Sequence, residues 1–255
     1  MNISFIVPCF NDQHEMVKTV HSIISQSHDS DEVIVIDSSF NKNLAKNLLY
    51  KYSKKDNLIY RHTPPKGIYP AQNYGIKIAK NEWIHIINSA DYLLDNARKE
   101  IAKAIFYYDN KDLLVFSQMV TLNNKKVLIY TPDKSGIWPH QSVLVKRDVH
   151  NKLGLYDESF KFTADQMFLF KARKKFSHVI MPFVLTSYDL SGASSKFSIK
   201  QCSELFKLGR SRELSLIKSI INAYLFPVLS KILAILIGNS TALKVKFRLR
   251  GMKVD

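Results

Sequence analysis

The N-terminal third of the chain alternates two hydrophobic patterns. Uninterrupted apolar runs, ISFIVP (3–8), DEVIVID (31–37), NLIYRH (57–62) and EWIHII (82–87), are rich in β-branched residues and end in polar or proline punctuation. That is the pattern of short strands buried on both faces. Between them, apolar residues recur at helical spacing. In DQHEMVKTVHSIISQ (12–26), Met16, Val17, Val20, Ile23 and Ile24 form one stripe, with Asp12 placed to cap its start. NKNLAKNLLYKYSKK (41–55) and YPAQNYGIKIAKN (69–81) repeat the arrangement. Strand and helix in alternation predict right-handed crossovers and an α/β fold, a mostly parallel sheet with helices on both faces. Such sheets bind ligands beyond the carboxyl ends of their strands. Three polar tips should therefore meet at one edge: PCFN (8–11), DSSF (37–40) and NSAD (88–91).

The middle of the chain changes character. DLLVFSQMVTL (112–122), NNKK and VLIYTP (127–132) read as an antiparallel hairpin turning at Asn123-Asn124. HQSVLVKR (140–147) reads as a strand, ADQMFLFKARKKF (164–176) as a helix and HVIMPFVL (178–185) as a strand. The tail differs again. Leu214 to Gly238 is strongly apolar but interrupted by Lys218, Pro227 and Lys231, and ALKVKFRLRGMK follows with alternating basic and apolar residues. Lys231 inside the run argues against a spanning helix. An in-plane amphipathic anchor with a polybasic flank is expected, the alternative being a helical pair packed on the domain.

Composition narrows the partners. The 255 residues are 46% hydrophobic, enough for one large domain with an appendage. Lys and Arg number 37 against 22 Asp and Glu, a net charge of +15 that suits an anionic partner. Most of the excess lies beyond Lys196, beside the apolar tail, and the aromatic-basic stacking signatures of RNA modules are missing. An acidic membrane surface is thus expected as partner, and nucleic acid is not. Cys9 and Cys202 have no metal-ligand or redox spacing, and NISFIVP is too short for a secretory leader. A cytoplasmic protein, peripheral on the inner face of the membrane, is expected.

Taken together, ISFIVPCFN, DEVIVIDSS, KGIYPAQNYGIKIAKNEWIHIINSAD, PHQSVLVKR and GLYDESFKFTADQMFLFKA, in this order, resemble bacterial family 2 glycosyltransferases of the GT-A (Rossmann-like) fold. Those of colanic-acid, O-antigen and capsule assembly are the nearest in flavour. The resemblance covers about residues 3 to 195. It implies a GT-A domain over 1–195, with a nucleotide-sugar half (1–95) and an acceptor half (96–195), followed by a basic amphipathic helical tail over 196–255.

The resemblance assigns roles, and each has a plainer structural alternative. Pro8, Phe10, Asn11 and Asp37 fall at the donor edge. Phe10 can stack on a nucleobase or be an edge-of-core aromatic, and Asp37 can accept from base or ribose or cap a helix. Gly67 and Asn73, with Gly75, fall on the diphosphate-sugar side; Gly67 lets the backbone turn closely, Asn73 alternatively ties its helix to a neighbour, and Lys66 reaches a phosphate or is simply solvated. In NSAD, Asn88 and Ala90 replace the carboxylates many members carry, so Asp91, beside Ser89, is left as the ligand for Mg²⁺ or Mn²⁺ on the donor diphosphate. Asp165 is the implied general base, against a first-turn aspartate that complements a helix dipole. His140 and Gln141 are expected to line the pocket, and Gly192 to lend flexibility to a small-residue loop closing it. The implied activity is inverting transfer from a nucleotide-sugar, expected to be UDP-linked, to a hydroxyl of a growing lipid-linked bacterial surface polysaccharide. The alternative is a non-catalytic nucleotide- or glycan-binding module with a degenerate metal site.

Overall fold

The computed structural model describes residues 2–122, 125–133, 137–190, 198–229, 236, 241, 245 and 253–254. Each apolar run of the N-terminal third is a strand: β1 (Ile3–Cys9), β2 (Glu32–Asp37), β3 (Leu58–His62) and β4 (Trp83–Ile86). The periodic segments between them are α1 (Gln13–Ile24), α2 (Lys42–Leu49) and α3 (Ile68–Ile78). The four strands are parallel, in the order β4-β1-β2-β3. Their register aligns Cys9, Asp37 and His62 at one edge. The turn after β4 joins the same edge, because Ser89 N–H donates to the Pro8 carbonyl (3.3 Å).

The far half of the sheet is mixed. After β5 (Tyr92–Leu93) and α4 (Ala97–Tyr107) come the hairpin strands β6 (Leu113–Leu122) and β7 (Lys125–Thr131), then β8 (Val143–Lys146). β8 runs antiparallel between β4 and β6, and the hairpin pairs antiparallel as expected, its Asn123-Asn124 turn lying outside the described residues. After α5 (Arg147–Leu153) and α6 (Ala164–Lys175), β9 (His178–Asp189) lies parallel to β6, with a register shift where Pro182 interrupts the ladder. A short β10 (Lys253–Val254) pairs with β7.

Helices cover both faces of the sheet. One core is built from Phe5, Val7, Val33, Val35 and Trp83 with α1 and α4, the other from Ile6, Ile34, Ile36 and Ile84 with α3 and α6. Alternate residues of β1 thus point to opposite cores, as the period of two requires. α3 sits close on β1 because Gly75 has no side chain. A Cβ there would stand 2.5 Å from Ile6 Cγ2.

Three local readings differ from expectation. His140–Ser142 is a 3₁₀ turn rather than the start of a strand, so the strand begins at Val143 and passes into α5 at Arg147. His140 thus lies in the turn and not on the strand ladder. Asp12 precedes α1 but its side chain makes no capping bond; its carboxylate and carbonyl instead accept from Ser89 Oγ (3.3 and 3.1 Å). α4 was not anticipated, although its buried Ala97, Ile101, Ala104 and Ile105 stand at helical spacing, and it is fastened by a buried ion pair between Arg98 and Asp31 (2.7 Å).

The C-terminal segment begins with α7 (Ile199–Ser211), whose Cys202, Glu204 and Leu208 are buried. α8 (Leu216–Ile220) folds back on it where Gly209 meets Ser219, and helix continues to Leu229. Among the described residues no helix is long and apolar enough to cross a membrane. The residues facing away from the body, among them Leu216, Ile217, Ile220, Tyr224, Leu225 and Leu229, are exposed.

Candidate active site

Two groups of side chains lie along the carboxyl edge. The first forms where the loops after β1 and β2 zip together. Asn11 N–H donates to Ser39 Oγ (2.7 Å), and Phe40 N–H donates to Asn11 Oδ1 (3.1 Å). Asn11 adopts φ 54°, a left-handed conformation that asparagine tolerates better than most residues. Asp37 lies beneath, fully buried, accepting from Ser39 N–H and from the Tyr60 hydroxyl (both 2.9 Å). Above it Phe10 and Phe40 meet edge to face at 5.7 Å, with 54% and 77% of their surfaces exposed. An exposed aromatic pair over a polar floor is a platform for a flat ligand. Cys9, at the same tip, is buried, and burial pushes its thiol up to about 11, so it is not a nucleophile.

The second group surrounds the turn after β4. Gln72 Nε2 donates to Asn88 Oδ1 (3.0 Å), and Asn88 Nδ2 meets His140 Nε2 (3.2 Å). The other ring nitrogen, Nδ1, lies 2.8 Å from Asp165 Oδ2, while Asp165 Oδ1 accepts from the Tyr69 hydroxyl (2.8 Å). Burial raises the Asp165 carboxyl, but the charge of His140, hydrogen bonds from His140 and Tyr69, and the Gln166 N–H outweigh it and hold the group below the usual range. The Tyr69 phenol is pushed far up, by burial first and then by Asp165. Tyr69 is a fixed donor.

Gln141 continues the network on the other side. Its Nε2 donates to Asp91 Oδ2 (3.1 Å) and its carbonyl accepts from His85 Nε2 (2.6 Å). Asp91 Oδ1 also faces the Asp189 N–H (3.4 Å). Burial pushes the Asp91 carboxyl up to about 7, opposed by His140, the Gln141 bond and the Asp189 N–H. Ala90, just before it, is held at φ 73°, where a side chain is strained. The strained turn aims Asp91 inward, beneath Gln141.

The remaining expected residues are placed as follows. Pro8 is buried in β1 and receives Ser89 N–H; Ser89 Oγ is held by Asp12. Gly67 takes φ 118° immediately before α3, a conformation glycine alone adopts freely, and Lys66 is exposed on that loop. Asn73 is buried and directed away from the edge: its amide accepts from Tyr156 N–H and donates to the Tyr156 carbonyl and Glu158. It ties α3 to the 156–158 loop. Gly192 lies outside the described residues.

Four contributors were not picked out from sequence: Phe40, Gln72, Tyr69 and Glu204. Tyr69 stands 96 positions from the carboxylate it touches; the signal was an aromatic in the first turn of a helix starting at the ligand edge. Glu204, in α7, accepts from Lys161 N–H and Phe162 N–H (both 2.8 Å) and so fixes the loop that leads into α6 and Asp165. A buried glutamate in a segment read as tail carries no such signal.

Among the described residues no three of His, Cys, Asp and Glu gather as metal donors. The candidate carboxylate, Asp91, is buried, with Oδ2 accepting from Gln141 and Oδ1 facing the Asp189 N–H, so a divalent ion that draws its other ligands from water and a diphosphate would have to displace these partners to reach it.

Residues 4–173 match the model of the family described as Glycosyl transferase family 2. An uncharacterised glycosyltransferase of Rickettsia typhi is 26% identical over 186 residues, covering 66% of this chain and 58% of the relative. The UDP-Glc:alpha-D-GlcNAc-diphosphoundecaprenol beta-1,3-glucosyltransferase WfaP of Escherichia coli is 27% identical over 141 residues, covering 50% of this chain and 56% of WfaP. The chain therefore spans little more than half the length of these relatives. Among solved structures, S. aureus TarS 1-349 in complex with UDP-GlcNAc superposes with a TM-score of 0.67 at 20% identity, over 92% of this chain and 71% of TarS. The mannosyltransferase PcManGT of Pyrobaculum calidifontis, in complex with GDP-Man and Mn²⁺, gives 0.63 at 16% identity, over 96% of this chain and 72% of PcManGT. At these identities the superpositions establish the shared fold.

Proposed function

The chain belongs to glycosyl transferase family 2, and from that premise we propose that it moves a sugar from a nucleotide-sugar to a hydroxyl of a growing bacterial surface glycan, inverting the anomeric centre. The observation that carries this reading is the His140-Gln141 dipeptide. One side chain holds Asp165 and the next holds Asp91, so a proton-accepting centre and a carboxylate for the leaving-group end share one sheet edge.

In this reading Phe10 and Phe40 stack on the nucleobase over the loops floored by Asp37. Gly67 brings backbone close to the diphosphate. Asp91 would hold Mg²⁺ or Mn²⁺, which when bound offsets the charge that builds on the departing diphosphate. Deprotonation of the acceptor hydroxyl depends on Asp165, and the activated oxygen attacks the anomeric carbon from the face opposite the diphosphate. An α-linked donor then gives a β-linked product.

UDP is favoured as the nucleotide by the UDP-GlcNAc bound to TarS and the UDP-Glc in the WfaP name, and the Mn²⁺ of PcManGT supports metal use. The diphosphoundecaprenol in the WfaP name, together with the exposed apolar helix of this chain, supports a lipid-linked acceptor met at the cytoplasmic membrane face. A thermal-shift panel of UDP-, GDP- and dTDP-sugars with and without Mn²⁺ tests the reading, because a ligand specific for the native state raises Tm by mass action. One donor class should stabilise the wild type, and Asp91→Asn should remove the Mn²⁺-dependent part. A panel in which no donor shifts Tm removes the proposal.

A further inference from the structure

The candidate base is held from the opposite half of the chain. Asp165 lies in the first turn of α6, buried, with both oxygens engaged: Oδ2 lies 2.8 Å from His140 Nδ1, and Oδ1 accepts from the Tyr69 hydroxyl, also at 2.8 Å. Tyr69 belongs to the first turn of α3, two positions after Gly67, whose φ of 118° starts that helix at the edge where the proposed donor diphosphate lies. The Tyr69 ring is 4% exposed and meets Tyr156 edge to face at 5.7 Å, so packing fixes the direction of the hydroxyl. Burial alone would favour the protonated acid and leave Asp165 without the charge a base needs. A hydroxyl that donates to the carboxylate favours the charged form instead. The Tyr69 phenol, pushed far up by burial and then by Asp165, keeps its proton throughout the physiological range and remains a donor.

We propose that Tyr69 is a positioning residue for transfer: its hydroxyl holds Asp165 as an oriented carboxylate and thereby sets the lowest pH at which the acceptor is activated. The inference rests on the glycosyl-transfer reading, with Asp165 as base, and adds a residue to it. In the transfer step the acceptor oxygen bonds to the anomeric carbon as its proton passes to the Asp165 carboxylate. The bond from that carbon to the diphosphate oxygen breaks, and its electron pair leaves on the nucleoside diphosphate. Tyr69 gives up no proton. A carboxylate offers about four acceptor positions, so with one taken by Tyr69 and one by His140, others remain for the acceptor hydroxyl. Among the described residues, the groups that act on Asp165 are Tyr69 from α3, His140 from the 3₁₀ turn, Tyr156 from the loop after α5 and the Gln166 N–H of its own helix. The last three remain when the Tyr69 hydroxyl is removed, so its effect is separable.

Tyr69→Phe tests it, because it keeps the ring against Tyr156 and removes only the hydroxyl. Taking a donor away from the carboxylate favours its protonated form, so the pKa of Asp165 must rise. Side-chain carboxyl ¹³C NMR of the whole protein, with the Asp165 signal assigned by its loss in Asp165→Asn, should show titration below the ordinary carboxylate range in the wild type. In Tyr69→Phe the same signal should titrate about one pH unit higher, the worth of one charge-assisted hydrogen bond. The acid limb of acceptor kcat/KM should rise with it, while donor KM stays within about threefold and turnover recovers as pH increases. A uniform loss of kcat with the limb unmoved marks Tyr69 as packing alone and overturns the proposal, as does an Asp165 signal that titrates alike in both proteins. If Tyr69→Phe does not fold, as judged by loss of a cooperative melting transition, 3-fluorotyrosine placed at position 69 decides. A stronger donor of the same shape should move the limb and the Asp165 signal down, and no movement overturns the proposal. A wild type inactive with every donor sinks the transfer reading, whereas the Asp165 titration still reports on the Tyr69 bond, so the two failures are distinguishable.

Discussion

At the scale of single residues, the least expected feature is a pair of neutral histidines in the core. Among the described residues His150 stacks on Phe168 at 4.4 Å with no side-chain partner for either ring nitrogen, and His85 leaves Nδ1 without a partner. Burial, first among the causes, pushes both down to about 4 from 6.5. A depressed folded-state pKa means that the stability contributed by the neutral form is complete above pH 6.5 and drains away as pH falls towards 4. The effect is at most about 3 kcal/mol for each group. His150→Phe keeps the stack and removes one titration, so Tm measured from pH 7.5 to 4.5 should fall less steeply than in the wild type. Parallel curves would contradict the burial argument. Residue-level legibility was uneven for a physical reason. Asp165, His140, Gln141 and Asp91 stand in the short motifs that carry the family resemblance, whereas Tyr69 and Gln72 reach the same network only through the packing of α3 on the sheet edge.

At the scale of elements, the site depends on a helix outside the matched family segment. Glu204 of α7 satisfies two backbone donors in the loop that delivers Asp165. Glu204→Ala leaves both N–H groups without this acceptor and should cost about 2–4 kcal/mol. Turnover should fall with it, as α6 shifts, while Glu204→Gln, which keeps one acceptor oxygen, should lie between. Denaturant midpoints and kcat on the same preparations check this; an alanine variant as stable as wild type would show that the loop holds itself. The strands were legible because an uninterrupted β-branched run has one good use in an α/β fold. The His140–Ser142 turn was not. Gln-Ser-Val-Leu-Val continues a strand by propensity, whereas in the turn Gln141 bonds His85 through its carbonyl and Asp91 through its amide, long-range contacts that no local pattern encodes.

At the scale of the whole molecule, the chain joins the candidate active edge to an apolar helical hairpin. α8 packs on α7 through Gly209 and Ser219, as the packed-pair alternative expects, and shows a row of aliphatic side chains to solvent, the side that an in-plane anchor would use. Flotation with vesicles containing anionic lipid should retain the wild type at low salt and release it as salt rises. Ile217→Glu with Leu225→Glu should abolish retention and leave turnover on a soluble acceptor unchanged. Equal flotation of both proteins would place the membrane contact elsewhere. The account as a whole stands on transfer at the Asp165 edge. Acceptor-dependent release of nucleoside diphosphate from the stabilising donor, compared between wild type and Asp165→Asn, tests it most directly. The wild type should turn over and the variant should be slower by about 10³-fold or more with its donor-induced rise in Tm intact. An Asp165→Asn protein that releases product at nearly the wild-type rate would contradict the account.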